Sequence, residues 1–509
     1  MQNIDVVGSE HKGAKPVNQI SEMARQHTAV REGKLYINGE WTPGSAGETK
    51  PDYNPATGEL FAHVHQATRE DAIRAVDAAH RAKDAWANML VSDRANILLA
   101  CADALATMID DVRDVLIEES GSTFPKAMFE VMSGIELLKS AAGDARHIFG
   151  ETLPHSMQGQ FGFTIRRPLG VIAGIAPFNA PFWLAMKKVV LALAAGNTFV
   201  LKPSEETPLT GLKIAELFER GGLPAGVLNV IPGPADAVGD VLLSDPRVRM
   251  LTFTGSTKVG RYLAVEAARH MKKVTLELGG KNPLIVLRDA DLDYAVRAAC
   301  FGIFFHQGQV CMANSRIIVE DSLYDAFAEA FVARARTYQV GDPRDPNTVI
   351  GPLIRRSQCS VIDGHVEDAV AKGARLLMGG KHRDNFYEPT VLGEVRSGMD
   401  IYNDESFGPV TSLIRVKDSE EALRIANDTS YGLSSAVITN DLQKAFDLAL
   451  RIEAGMVHIN DTTVSDEPHV PFGGTKMSGV GREGGRYSME EMTEIKWITI
   501  QMGQRQFPF

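Results

Sequence analysis

The chain has 509 residues, 44% of them hydrophobic and 23% charged, with a formal net charge of −11. At roughly 150 residues per domain, that length holds two to four domains of ordinary globular composition. The acidic balance argues against a general nucleic-acid binder, which needs a basic face, and no run reaches the ~18 apolar residues of a membrane span.

The N-terminal stretch carries no apolar core of signal-peptide length, and residues 1–32 read as a loose polar arm. LYINGEW reads as a strand and turn, and the Gly/Pro-rich WTPGSAGETKPDYNPATGE as a loop. From Arg69 to about Arg146, apolar residues recur at i, i+3 and i+4, the spacing of amphipathic helices. The centre then alternates. GVIAGIAP, NTFVLKP, VLNVIPG and RMLTFTGS are short apolar runs, each followed by a helical segment (WLAMKKVVLALAAG, TGLKIAELFERGG, AVGDVLLSD, TKVGRYLAVEAARH). That rhythm predicts a parallel sheet covered on both faces by helices. LDYAVRAACFGIFF opens a second alternating region, continued by RIIVE, a helix from about Ser322, EEALRIANDTSYGLSSAVIT and LQKAFDLALRIEAGMVHIN. FGFTIRRPLG and TEIKWITIQM read as strands belonging to neither region, and a second subunit is the partner expected for them.

Four cysteines (Cys101, Cys300, Cys311, Cys359) form neither a metal spacing nor a disulfide framework. A reducing cytoplasm and no bound metal are expected. Cys311 lies in FFHQGQVCMANSR, where Gly308 permits a tight turn between a helix and a strand. A thiol there is either an accessible nucleophile or an inert core cysteine; Cys300, on an apolar helix face, fits the second description better. Glu277 in KKVTLELGGKNP is an acid within an apolar run, either a buried general base or a strand-end acid facing water. Asn179 stands between prolines in APFNAP, as an oxyanion donor or a turn residue. FVLKPSEETP, with Lys202 and Glu205, and FTGSTKVG, with Gly255 and Ser256, end strands in ways that suit a dinucleotide or plain strand-to-helix punctuation. Gly479, Gly481 and Gly484 spell G-x-G-x-x-G, but a Gly-rich loop precedes them where the dinucleotide fingerprint needs a strand.

Taken in order, PFNAP, LKPSE, FTGST, LELGGKNP, GQVCMANSR, ESFGP and PFGGTKMSGVGRE resemble the signature segments of the aldehyde dehydrogenase superfamily, over about Lys34 to Ile500. The resemblance implies an α/β fold of two parallel-sheet domains with a small β oligomerisation flap. The bounds it suggests are an arm over 1–32, a dinucleotide-binding domain over 33–160 and 169–280, a catalytic domain over 281–485, and a flap from 161–168 and 486–509. It implies Cys311 as nucleophile, Asn179 with the Cys311 N–H as oxyanion hole, Glu277 as general base and Glu483 as an acid relaying its proton. For the cofactor it implies Lys202 and Glu205 on the adenosine ribose, Ser256 on phosphate and Glu405 on the nicotinamide ribose, with Gly255 and Phe407 beside them. Two departures are visible: Phe178 stands where many members have Trp, and Ser406 where Ile or Leu is common.

The chemistry so implied is NAD-dependent oxidation of an aldehyde to an acid through a thiohemiacetal and a thioester on Cys311. Retention of Glu277 favours hydrolysis over transfer to coenzyme A, and Glu205 favours NAD over NADP. The pocket implied by family geometry comprises Phe178, Ala180, Trp183, Leu184, Val310, Met312, His469 and Phe472. Lacking an arginine, it suggests a neutral, aromatic aldehyde of the benzaldehyde or vanillin kind; aliphatic aldehydes or semialdehydes are the alternative substrates. A cofactor-independent thiol esterase is the rival activity. The expected assembly is a homodimer or homotetramer, with no nucleic acid or membrane partner.

Overall fold

A computed structural model describes residues 30–509. The expected arm lies outside the described residues up to position 29. Arg31–Gly33 is already a strand, parallel to Leu60–His65, so the arm ends earlier than its polarity suggested. Thr49–Tyr53, read as loop, is also a strand, antiparallel to Leu60–His65. It is mostly exposed and contains Pro51, a composition tolerated at a sheet edge that hides the pairing from sequence.

Eight strands form the first large sheet, in the order Gly479–Val480, Lys273–Glu277, Val248–Thr254, Val171–Ile175, Thr198–Lys202, Leu228–Val230, Leu35–Ile37, Glu40–Thr42. The five from Lys273–Glu277 to Leu228–Val230 are parallel. They are the apolar runs of the sequence, buried by helices on both faces. Helix Pro181–Ala194 is buried along its whole length, as its nearly unbroken apolar sequence requires. With helices Val91–Thr107, Phe124–Asp144 and Pro208–Arg220 it builds the largest core cluster. Successive strands run outward one way from Val171–Ile175, then resume on its other side with Val248–Thr254. The order therefore reverses between those two strands, and the carboxyl ends there form the crevice in which such sheets bind ligands.

The second sheet has seven strands, ordered Arg375–Met378, Thr390–Gly393, Val410–Val416, Arg316–Glu320, Pro283–Val286, Ser434–Ile438, Met456–Ile459. All its pairings are parallel except that of Arg375–Met378. The third sheet joins Thr493–Gln501, Gln160–Pro168 and Thr152–Leu153. The two long strands expected to seek another subunit pair with each other, in register from Thr493 opposite Pro168 to Gln501 opposite Gln160. The described residues are thus α/β, with two large, mainly parallel sheets and four small ones of two or three strands, among them this antiparallel one.

Candidate active site

Five sequence candidates sit where the first sheet's strands end: Asn179 just after Val171–Ile175, Lys202 closing Thr198–Lys202, Gly255 and Ser256 after Val248–Thr254, and Glu277 closing Lys273–Glu277. Parallel strands deliver these ends to one edge, so side chains far apart in sequence converge at the switch point.

Cys311 arrives from the second sheet's region. After helix Leu292–Phe304 the backbone passes through three left-handed residues, His306 (φ 49°), Gln307 (φ 55°) and Gly308 (φ 71°). Such φ values are costly for His and Gln and persist only when neighbours fix them. Here Gln307 Nε2 donates to the carbonyls of Gly121 (3.1 Å) and Pro352 (2.9 Å), and the Ile354 N–H donates to Gln309 Oε1 (3.1 Å). A Cβ on Gly308 would stand 2.1 Å from the Gly408 carbonyl oxygen, so only glycine lets this loop meet the ESFGP loop. Asn282 completes the support: its Nδ2 donates to the carbonyls of Cys311 (2.7 Å) and Ala313 (2.9 Å). Cys311 is part-exposed whereas the other three cysteines are buried. Burial raises its thiol first, and the carboxylates of Glu405, Glu277 and Asp466 push it further up. Burial alone lifts Cys101 to about 12, and it lifts Cys300 to about 12 against the pull of Tyr338 and Arg334, consistent with inert core thiols.

Asn179 is buried, and its Nδ2 donates to the Gln309 carbonyl at 2.9 Å, two residues before Cys311. Its backbone carbonyl accepts from Lys126 Nζ (2.6 Å), which is ion-paired with Glu130 and bonded to Ser122 Oγ. Glu130 Oε2 also accepts from the N–H groups of Phe182 and Trp183, both 3.0 Å. Those are orphan donors at the start of helix Pro181–Ala194. One buried carboxylate therefore fixes both the helix and, through Lys126, the amide that precedes it.

Glu277 is 2% exposed, and neither carboxylate oxygen has a hydrogen-bond partner. Burial, and next the charge of Glu483, hold its carboxyl well above the usual range. Gly473 lies against it; a Cβ there would come within 2.8 Å of Glu277 Oε1. Glu483 is buried beside it, its Oε1 accepting from Lys188 Nζ and from Thr252 Oγ1 (2.8 Å). The glycines of SGVGREGG serve this packing rather than a phosphate. Gly479–Val480 pairs antiparallel at the strand end carrying Glu277, and a Cβ on Gly479 (φ 155°) would stand 2.1 Å from the Leu276 carbonyl.

On the substrate side, Met312 and Phe472 pack with Leu433, against Cys311 and Val310. Leu184 and Trp183 are buried within the main core, and Ala180 packs against it. Trp183 Nε1 donates to Asp466 Oδ2 at 2.8 Å, and Lys187 Nζ lies 2.8 and 3.0 Å from the two Asp466 oxygens. The same ammonium is 4.6 Å from the centre of the Phe472 ring. Here an ion pair lies under an aromatic cover, where sequence reasoning expected aromatic and apolar groups and His469. From its loop Asp466 is the residue brought inward; His469, expected in the pocket, is 64% exposed and faces Glu467 at 3.6 Å. Phe129, which the sequence did not single out, stands edge-on to Trp183 and Phe305. Phe178 meets Phe407 edge-on at 5.8 Å with the Arg355 guanidinium over its ring, so an arginine does reach a residue expected in the pocket. Ser406 Oγ bonds His365 Nδ1 at 2.9 Å, which gives that departure a structural part in the ESFGP loop.

The residues expected on the cofactor side have polar and backbone groups of the kind a dinucleotide needs. Glu405 Oε1 accepts from the Gly280 N–H (3.2 Å), and a Cβ on Gly279 would fall 2.7 Å from Glu405 Oε2. Burial pushes Glu405 up to about 7. Ser256 caps helix Thr257–Arg269, accepting from the Val259 N–H, at a helix start suited to a phosphate. Phe407 sits in the left-handed region at φ 47°. Lys202 is 4% exposed and faces Glu205 at 3.7 Å. Among the described residues, no cluster of His, Cys, Asp and Glu could hold a metal, and no helix is long and apolar enough to cross a membrane.

Residues missed by sequence reasoning are mainly charged: Lys126, Glu130, Lys187, Lys188 and Asp466, with Asn282 among the polar ones. The signal available for the first pair was its i, i+4 spacing, which on most helices marks a solvated face.

Known proteins resemble this chain in sequence and fold. The aldehyde dehydrogenase family model matches residues 41–498. Benzaldehyde dehydrogenase YfmT of Bacillus subtilis is 43% identical over 94% of this chain and 98% of its own length. Vanillin dehydrogenase of Pseudomonas fluorescens is 44% identical over 93% of this chain and 99% of its own. The crystal structure of a salicylaldehyde dehydrogenase from Pseudomonas putida G7 with salicylaldehyde superposes with a TM-score of 0.92 at 40% identity, covering 94% of this chain and 100% of that one. Matched along nearly its whole length, this chain belongs to the aldehyde dehydrogenase family.

Proposed function

We propose that this chain oxidises aromatic aldehydes to carboxylic acids with NAD, through a thioester on Cys311. The observation that carries this reading is Glu277, a buried carboxyl with no partner, placed where its charge acts on a part-exposed thiol. Cys311 gives up its proton to solvent and attacks the carbonyl carbon as a thiolate. The oxyanion of the thiohemiacetal takes hydrogen bonds from Asn179 and the Cys311 N–H; one such donor is worth ~10²–10³ in rate. When bound, NAD would supply the redox chemistry as hydride acceptor, and Lys202, Glu205, Ser256, Glu405 and Phe407 would hold it. Glu277 then draws a proton from water attacking the thioester, with Glu483 beside it. While it faces the ribose, the Glu205 carboxylate favours NAD over NADP, because it repels a 2′-phosphate.

The aromatic preference rests on Trp183, Phe472 and Phe129 around the site and on the benzaldehyde, vanillin and salicylaldehyde dehydrogenases among the relatives. The test is NADH formation with benzaldehyde, vanillin, short aliphatic aldehydes and succinic semialdehyde. The highest kcat/KM belongs to an aromatic member. Activity led by the others removes the substrate reading, and no NADH from any of them removes the oxidation.

A further inference from the structure

We propose that Lys50 is a specificity-determining residue that gives this chain a site for the 2′-phosphate of NADP, so that it binds both dinucleotides. The inference rests on the reading that Lys202 and Glu205 face the adenosine ribose. Glu205 is held from two sides: Lys202 Nζ is 3.7 Å from its Oε1, and Lys50 Nζ is 3.6 Å from its Oε2. Lys50 comes from strand Thr49–Tyr53, which belongs to a separate small sheet, so nothing in the LKPSE segment announces it.

Both separations exceed hydrogen-bond length, and the Glu205 side chain is 37% exposed. Loose, part-exposed ion pairs of this kind contribute little, so turning Glu205 outward costs little. The turn leaves two ammonium groups facing the place an anion had filled. Lys202 is buried and cannot follow the carboxylate into water; Lys50, half-exposed at 47%, can swing to meet a phosphate. Immediately beyond, Arg355 lies 3.7 Å from Glu206, which offsets the next carboxylate along the loop. A lone glutamate would repel the 2′-phosphate; bracketed by two lysines, it acts as a displaceable stand-in for it.

The experiment is calorimetric titration of NAD and of NADP into wild type, Lys50→Ala and Lys50→Arg. Wild type binds both. The ratio of Kd for NADP to Kd for NAD rises about tenfold in Lys50→Ala, the loss of one charge-assisted contact, and returns toward wild type in Lys50→Arg. NADP affinity also falls more steeply with salt than NAD affinity. An unchanged or lowered ratio in Lys50→Ala, or no NADP binding by wild type, overturns the proposal. If neither dinucleotide binds, the ribose reading of Lys202 and Glu205 falls and this proposal with it. Binding of both without NADH from any aldehyde removes the proposed oxidation, while the ratio still decides the role of Lys50.

Discussion

Glu277→Gln separates the two halves of the proposed reaction. The substitution keeps volume and shape, and the native oxygens make no hydrogen bond to lose. What disappears is the charge and the ability to take a proton. A positioned general base contributes ~10²–10⁴ in rate, or about 2.7–5.4 kcal/mol at ~1.36 kcal/mol per decade, and hydrolysis of the thioester should slow by that factor. In a rapid-mixing assay the variant releases a burst of about one NADH per chain, then turns over slowly as the thioester accumulates. The pH profile supplies a second readout. Glu277 is raised by burial and by Glu483, so it is a neutral acid below its folded pKa and a base above it. Wild-type turnover therefore rises with pH through that value, and the variant loses the rise. Stability carries the opposite sign. Because the folded pKa lies above the ordinary 4.5, the wild type loses stability as pH climbs from the unfolded value to the folded one. Glu277→Gln should then be the more stable protein at alkaline pH and not at pH about 4, by about 1–3 kcal/mol, the cost of a buried unsatisfied group. A steady-state rate within tenfold of wild type, with the rising limb intact, would refute the assignment of Glu277 as the base.

Three further substitutions probe the supports. Cys311→Ala should abolish NADH formation from every aldehyde while leaving dinucleotide binding, followed by fluorescence titration; turnover above a few per cent would exclude the thioester. Asp466→Ala strands the fully buried Lys187 and should cost about 3–5 kcal/mol in urea denaturation. Asp466→Asn retains an acceptor for Trp183 and should cost less, and equal losses would show that the ion pair is not the relevant interaction. Glu130→Ala removes the acceptor for two helix-start N–H groups and the counter-ion of Lys126. It should lower stability by about 3 kcal/mol and kcat more than KM, because Lys126 holds the Asn179 backbone; an equal effect on both would place Glu130 outside oxyanion positioning.

The fold was legible where burial is two-sided. VIAGI, TFVLK and VRMLTFT are buried along almost their whole length, and such strands announce themselves as unbroken apolar runs between helices. Edges carry no such signal. Thr49–Tyr53 is four-fifths exposed in pattern and reads as loop. The strands Gln160–Pro168 and Thr493–Gln501 were recognisable as strands, but their partnership, 325 positions apart at Pro168 and Thr493 and 341 at Gln160 and Gln501, is set by tertiary closure, which local composition does not encode.

The site divides in the same way, and the division bears on the substrate. Cys311, Glu277, Asn179 and the cofactor loops lie in short motifs because each must follow a strand or turn of fixed geometry. Their supports are single charges reaching across 53 residues, from Lys126 to Asn179, or 279, from Lys187 to Asp466. In one dimension a Lys or Asp reads as surface, since burial of a charge is visible only with its partner. The expectation of a neutral aldehyde was argued from aromatic and apolar groups without an arginine, and beside Trp183 and Phe472 the structure adds a buried ammonium and carboxylate. The conclusion is nevertheless supported by a different route. Asp466 holds Lys187 with both oxygens and Trp183 with one, so the charge of the lysine is already met by a carboxylate. An aldehyde bearing its own carboxylate gains Lys187 only by displacing Asp466, which would leave that carboxylate buried and uncompensated. A flat neutral ring meets no such cost, and the Phe472 and Trp183 faces that cover the pair are the surfaces it would stack on.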